Sequence, residues 1–251
     1  MQKKTRERND VLRTQDLANA FIALTELVAR LRGPGGCPWD AQQTHETVKV
    51  YILEEAYEVL DAIERRHSDD LCHEVGDLLF QVLFLASIAE EKYDFTLLQV
   101  IRQVTKKMIN RHPHVFGSAK VGSVKEVAAN WEKIKKEEKG LQESSPQLLM
   151  DVPASLPALL RSHRLSERAS RLASGDKDEK AILMHMDEAW DSLRNRMDHK
   201  DQQHIGEDIG TILFNLADLA RHRGLNAESL LRKANQEFLE GFKEEEKGSK
   251  P

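Results

Sequence analysis

Two short acidic clusters, each set inside an apolar helical stretch, constrain the fold of this chain most. The first is Glu54-Glu55-Ala56-Tyr57-Glu58, and the second is Glu74-Val75-Gly76-Asp77. Within each cluster, acidic residues three or four positions apart share one helix face. Two helices that turn these faces toward each other bring carboxylates together, which raises their pKa values unless a cation neutralises them. Carboxylate oxygens suit Mg²⁺, so the sequence predicts a divalent-metal site between two helices.

Apolar residues repeat with helical spacing along most of the chain, and no segment alternates as a strand does. In the first half this spacing predicts helices over about 17–31 and 47–65, from 68, and from 96 to just before Pro113. A fifth helix is expected from Ser123, which opens a capping-box sequence, to Gly140. In the second half, helices are expected near 156–173, 180–196, 203–223 and 227–246. The predicted fold class is therefore all-α.

The second half of the chain resembles a copy of the first. Asp187-Glu188-Ala189-Trp190-Asp191 mirrors the first acidic cluster, and Gly210-Thr211-Ile212-Leu213-Phe214 mirrors Gly76-Asp77-Leu78-Leu79-Phe80. This pair of matches predicts a tandem repeat of two four-helix-type units. The predicted domains are residues 1–143, with the catalytic site, and residues 144–251, with a degenerate copy. A proline-containing connector is expected over 141–157.

The two copies differ in their acidic residues. The second copy reads Asp208-Ile209-Gly210-Thr211, so a hydroxyl replaces the last carboxylate. Asp187 and Asp191 replace glutamates and are shorter by about one methylene. An intact metal site is therefore expected in the first half alone.

Composition excludes several classes of protein. The formal net charge of −5 argues against a nucleic-acid partner, which usually requires a basic face. The only two cysteines, Cys37 and Cys72, stand far apart, so neither a disulfide framework nor a structural zinc site is expected. No apolar run approaches the roughly 20 residues that span a bilayer, so no membrane partner is expected. These features predict a cytoplasmic protein.

Five ordered motifs resemble those of a known family. They are EExxE with ExxD on two helices, Gly36-Cys37-Pro38-Trp39-Asp40, Gln43-Thr44, Arg111-His112-Pro113-His114-Val115-Phe116 and Trp131-Glu132-Lys133-Ile134-Lys135. The first motif is typical of all-α nucleoside triphosphate pyrophosphohydrolases, and the set is similar to the MazG branch over residues 17–242.

The resemblance implies hydrolysis of a nucleoside triphosphate between its α- and β-phosphates, giving a monophosphate and pyrophosphate. It assigns the metal ligands to Glu55, Glu58, Glu74 and Asp77, with Mg²⁺ as the cofactor and Mn²⁺ as a substitute. Glu54, or another carboxylate beside the ligands, is expected to orient the attacking water or accept its proton. The predicted catalytic residues are thus Glu54, Glu55 and Glu58.

The resemblance also assigns substrate contacts. Lys107 and Arg111, one helical turn apart, match a basic pair that contacts phosphates. Trp131, together with Lys135, matches a segment that closes over the nucleotide, where tryptophan can stack on any base. The positions in the second copy that align with the basic pair are Glu237 and Gly241. Trp39 is expected to anchor its loop rather than to contact a ligand.

The resemblance implies that the protein clears unwanted nucleotides. A homodimer or larger homo-oligomer is expected, because the helical halves leave apolar faces that need to be buried. Three alternatives stay open. One is a nucleotide-binding regulator without turnover. Another is a di-metal carboxylate oxidase on a helical bundle, for which the chain offers only Glu64-x-x-His67 instead of paired motifs. The third is a helical interaction module, which leaves the clustered carboxylates unexplained.

Overall fold

The structure, a computed structural model, describes residues 2–138, 140, 147–172, 178–197 and 202–248. Throughout these ranges the secondary structure is helical and contains no strand, which confirms the predicted all-α fold. The chain forms two compact units, Met1–Lys120 and Val121–Pro251.

A helical hairpin forms the centre of the first unit. Its helices are α1 (Gln2–Arg32), α2 (Pro38–Ala41), α3 (His45–Arg65), α4 (Ser68–Glu91), α5 (Leu97–Arg111) and α6 (Pro113–Phe116). A tight turn joins α3 to α4, and the two helices pack along each other. Both α1 and α5 pack against α4. The hairpin therefore places the two acidic clusters on adjacent helices.

Side chains fix the starts of the helices that carry the predicted site. The Thr44 hydroxyl accepts a hydrogen bond from the Thr47 backbone N–H at 3.3 Å, and the Thr47 hydroxyl caps the Thr44 N–H in return. Thr96 and Gln99 form the same reciprocal arrangement at the start of α5. These boxes satisfy backbone donors that a helix start leaves unpaired.

The core of the first unit lies where α1, α3 and α4 meet. Its buried side chains are Val28, Val48, Leu83, Phe84 and Ile88. By length and composition alone α4 could cross a membrane, so the expectation that no apolar run approaches this length was too strong. Three of the five buried core residues come from α4, although only 22% of its apolar window is buried within the described residues.

The second unit contains a hairpin of the same kind. Its helices are α7 (Val124–Glu138), α8 (Gln147–Met150), α9 (Ala158–Leu172), α10 (Glu179–Arg196), α11 (Gln202–His222) and α12 (Ala227–Gly248). The α10–α11 pair packs as closely as α3–α4, and α9 packs on α11 and α12. Ala189, Leu193 and Ile212 form its core, with Ile205 against them. Two similar hairpins agree with a tandem repeat, although the duplication stays a prediction.

The start of α7 shows one half of its predicted capping box. The Ser123 hydroxyl accepts a hydrogen bond from the Glu126 backbone N–H at 3.2 Å. The Glu126 carboxylate accepts instead from the Gly122 N–H, at 2.9 Å. This helix belongs to the second compact unit, whereas the predicted catalytic domain 1–143 includes it. That domain boundary stays a prediction, and residues 141–146 of the predicted connector lie outside the described residues.

Candidate metal centre

Three glutamates of the predicted site meet across the α3–α4 hairpin. One carboxylate oxygen from each of Glu55, Glu58 and Glu74 lies within 4.8 Å of the other two. Glu55 and Glu58 are three residues apart on α3, so they share a face. Glu74 comes from the facing side of α4. The pairing of the two helices thus gathers these carboxylates, as the sequence predicts.

Two of the three carboxylates, those of Glu55 and Glu74, have raised pKa values. Partial removal from water raises the pKa of Glu55, and the charges of Glu58, Asp77 and Glu74 raise it further. Desolvation also raises the pKa of Glu74, with added contributions from its hydrogen bond to Glu58 and from neighbouring acidic charges. Raised carboxyl pKa values mean that ionised forms are disfavoured here. A bound cation would relieve that cost.

Asp77 and Glu54 are not among the three closest carboxylates. The charge of Asp77 acts on both Glu55 and Glu74, although Asp77 is outside the group of oxygens within 4.8 Å. Glu54 is exposed on α3. The four predicted ligands therefore lie near one another, with three of them closest together.

The donor set fits a hard divalent cation. Every potential ligand atom in the cluster is a carboxylate oxygen, the type that Mg²⁺ and Mn²⁺ accept. Among the described residues, the causes that shift the pKa values of Glu55 and Glu74 include no lysine or arginine.

The predicted phosphate contacts lie on the neighbouring helix α5. Lys107 is exposed, and Arg111, one turn later, is half-buried at the end of the helix. A depression of about 320 Å³ also lies on α5, lined by Ile101, Arg102, Thr105, Lys106, Ile109 and Asn110. None of the predicted site residues lines it, so the depression and the acidic cluster are separate features.

The predicted closing segment lies on α7 of the second unit. Trp131 is half-buried, and the Lys135 ammonium lies 3.8 Å from the Glu132 carboxylate. Glu132 also pairs with Arg171 of α9, at 3.2 Å. These contacts fix α7 within its own unit, and the role of Trp131 and Lys135 at the active site stays a prediction.

In the second unit, cations of the protein lie beside the corresponding acidic residues. Asp191 lies 3.4 Å from Arg194, and Asp208 lies 3.9 Å from Arg196. The Thr211 hydroxyl, at the position of the lost ligand, donates to a backbone carbonyl one turn earlier at 2.9 Å. These internal contacts agree with the predicted erosion of the second site.

Two residues near the cluster escaped the sequence prediction. Gln81 forms a hydrogen bond with Glu55, which lowers the pKa of that carboxyl against the other effects. The charge of Asp70 contributes to the raised pKa of Glu74. Both lie on the acidic-cluster side of α4, four residues from Asp77 and from Glu74 respectively, so their spacing was the available signal.

Comparisons with known proteins agree with the motifs. Residues 43–116 match the family described as the MazG nucleotide pyrophosphohydrolase domain. A Thermotoga maritima protein named nucleoside triphosphate pyrophosphohydrolase/pyrophosphatase MazG is 39% identical over 90% of this chain and 85% of its own length. An Escherichia coli nucleoside triphosphate pyrophosphohydrolase is 40% identical over 91% and 88%. The crystal structure of a MazG-related protein from Thermotoga maritima, 31% identical, covers 45% of this chain and 97% of that one, with a TM-score of 0.40.

Proposed function

Because this chain belongs to the MazG nucleotide pyrophosphohydrolase family, we propose that it hydrolyses nucleoside triphosphates between the α- and β-phosphates. The products are a nucleoside monophosphate and pyrophosphate. The observation that carries this proposal is the convergence of Glu55, Glu58 and Glu74 from two helices, with raised pKa values for Glu55 and Glu74. Carboxylates this close repel one another unless a cation binds between them. A polyphosphate substrate also needs a cation to offset its negative charge.

In the proposed site Glu55, Glu58, Glu74 and Asp77 hold Mg²⁺, with Mn²⁺ as a substitute. When bound, the ion supplies positive charge that offsets the charge of the phosphate oxygens. The chain contributes the arrangement of the ligands, since the packing of α3 on α4 brings oxygens of Glu55, Glu58 and Glu74 within 4.8 Å of one another. Pre-positioned ligands of this kind need little rearrangement on binding.

Glu54 is the proposed base. It lies beside Glu55 on α3 and is exposed, so it can accept a proton from water without joining the closest group of ligands. The water oxygen bonds to the α-phosphorus, the bond from that phosphorus to the α–β bridging oxygen breaks, and the bridging oxygen leaves with pyrophosphate. Lys107 and Arg111 of α5 provide cations for the phosphates, since residues four apart present two charges on one face.

The remaining proposals concern the surroundings of the reaction. Trp131 and Lys135 close over the bound nucleotide. The protein works as a homodimer or larger homo-oligomer in the cytoplasm, with nucleotide clearance as its role. Many apolar side chains of the described helices are exposed, such as Val50 (50%) on α3 and Leu79 (39%) on α4, which supports an assembly that covers them.

The test is a panel of nucleoside triphosphates with product identification, run with and without Mg²⁺. Glu58→Gln and Asp77→Asn should abolish hydrolysis, because each removes a charged ligand while keeping the size of the side chain. Asp191→Asn is the matched control, since it makes the same kind of change at the corresponding position of the second unit. We expect it to retain activity, because Asp191 is exposed and lies beside Arg194.

Monophosphate with pyrophosphate supports the proposal. Diphosphate with inorganic phosphate refutes the cleavage position, and loss of activity in Asp191→Asn alone refutes the assignment to the first unit. Metal-dependent nucleotide binding without any product would instead identify a regulator.

A further inference from the structure

Trp39 is an exposed aromatic residue on a short loop helix of the first unit. Its side chain is 57% exposed, although its motif predicts a loop anchor. One neighbour is another aromatic residue, Tyr51 of α3, whose ring centre lies 5.9 Å away at an interplanar angle of 59°. Tilted pairs of this kind are favourable and fix the orientation of the rings. The indole is thus held from one side and open to solvent on another.

The backbone beneath Trp39 is held firmly in place. At Gly36 the loop packs so closely on the end of α1 that a Cβ would collide with backbone oxygens. The buried Arg32 guanidinium donates to the Asp40 carbonyl at 2.6 Å, and the Gln43 amide donates to the Trp39 carbonyl at 3.1 Å. Such bracing costs conformational freedom, and it positions a large apolar side chain in water. That combination suits a ligand platform better than a core anchor.

Tyr51 connects this platform to the carboxylate cluster. Residues 51, 55 and 58 follow the i, i+4, i+7 spacing of one helix face. From the helical rise, Tyr51 lies about 6 Å along the axis from Glu55 and about 10 Å from Glu58. These separations match the reach of a nucleotide from its phosphates across the sugar to the base. A triphosphate bound at the carboxylates can therefore extend its base along α3 toward the aromatic pair.

We propose that the exposed face of Trp39, oriented by Tyr51, is the surface on which the nucleobase of the substrate stacks. This inference rests on the proposed function, since it adds the base contact to the same site. Stacking uses the π-face that every base has, so the platform favours nucleotides over bare polyphosphates while accepting any base. Trp39 is then a binding residue, and Tyr51 is a positioning residue.

The experiment compares a substrate that has a base with a ligand that lacks one. KM and kcat are measured for a nucleoside triphosphate with Mg²⁺, and the inhibition constant is measured for tripolyphosphate. Trp39→Ala should raise KM about 5- to 150-fold, the range for loss of one stacked base, with kcat changed less than about twofold. The inhibition constant of tripolyphosphate should stay within about twofold of wild type, because tripolyphosphate cannot stack.

Two further variants keep the test sharp. Trp39→Phe retains a smaller ring and should recover most of the affinity, which separates stacking from a folding defect. Tyr93→Ala removes another exposed aromatic residue of the same unit, 97% exposed in the loop after α4, and should change nothing.

An unchanged KM in Trp39→Ala would overturn the inference. A parallel rise in KM and in the tripolyphosphate inhibition constant would overturn it as well, because the effect would then be general to the site. Failure of the proposed function is distinct, since the wild-type protein itself would then release no pyrophosphate from any nucleotide.

Discussion

Replacing Arg32 with alanine should destabilise the first unit more than any single surface change there. The guanidinium is 4% exposed and lies where α1, the Trp39 loop and α4 meet. It binds both Glu91 carboxylate oxygens, at 2.6 and 2.7 Å, and donates to the Asp40 and Gln43 carbonyls at 2.6 and 3.3 Å. It also lies 5.0 Å from the centre of the Phe84 ring.

The magnitude follows from these contacts taken separately. The short charged hydrogen bond to the Asp40 carbonyl should contribute about 1.5–3 kcal/mol. Glu91 is 48% exposed, so solvent screening limits its pair to about 0.5–1 kcal/mol. The ring contact adds about 0.5–1 kcal/mol. Arg32→Ala should therefore lower the free energy of unfolding by about 2.5–5 kcal/mol. Arg32→Lys, which keeps a charge but not the planar fork, should cost less than Arg32→Ala.

Urea unfolding of the first unit measures this directly. Trp39 is the single tryptophan of that unit, so its fluorescence in a Trp131→Phe, Trp190→Phe background reports on the first unit alone. Glu91→Gln should cost about 0.5–1 kcal/mol at neutral pH. Arg32 lowers the pKa of Glu91, so this contribution is present above the ordinary carboxyl pKa and is lost as the pH falls through the lowered value. Equal costs for Arg32→Ala and Glu91→Gln would refute the reasoning.

Two further predictions concern the acidic cluster and the glycines. Since the pKa values of Glu55 and Glu74 are raised, their stabilisation is full below the ordinary value of 4.5 and is lost as the pH rises through the raised values. Thermal unfolding in EDTA should therefore show a falling melting temperature of the first unit as the pH rises. Adding Mg²⁺ at neutral pH should raise it again. An unchanged melting temperature on adding Mg²⁺ would contradict the site. Gly36→Ala should destabilise the first unit in the same urea assay, because the added Cβ would collide with backbone at the end of α1. The Cβ of Gly76→Ala meets open space, so this substitution should stabilise the metal-free protein by about 0.5–1 kcal/mol. Equal effects of the two alanines would be the contrary result.

The helices and the acidic cluster were accessible from the sequence because both depend on local spacing. Apolar periodicity located the starts of α3 and α5 within about two residues of the observed positions. Carboxylates three apart on adjacent amphipathic helices had to meet once those helices paired through their apolar faces. Spacing thus predicted a meeting of the two acidic clusters, and the structure brings together Glu55, Glu58 and Glu74 of their five carboxylates.

Other features could not be read from spacing because they depend on contacts between distant segments. Arg32 and Glu91 are 59 residues apart, and no periodic pattern joins them. The exposure of Trp39 depends on how its loop packs on α1, which the motif does not encode. The motif alone therefore suggested a loop anchor. The apolar composition of α4 does not show where the helix lies, since core helices and membrane-spanning helices have similar compositions.

The arginines beside Asp191 and Asp208 give the two halves of the chain opposite responses to ionic strength. Simple salt screens the mutual repulsion of the glutamates on α3 and α4, so it lowers the cost of ionising them together. In the second half the same salt weakens the attraction between Asp191 and Arg194, which are 72% and 74% exposed. The carboxylates of the second half therefore interact with cations of the chain itself, and these interactions weaken as the ionic strength rises.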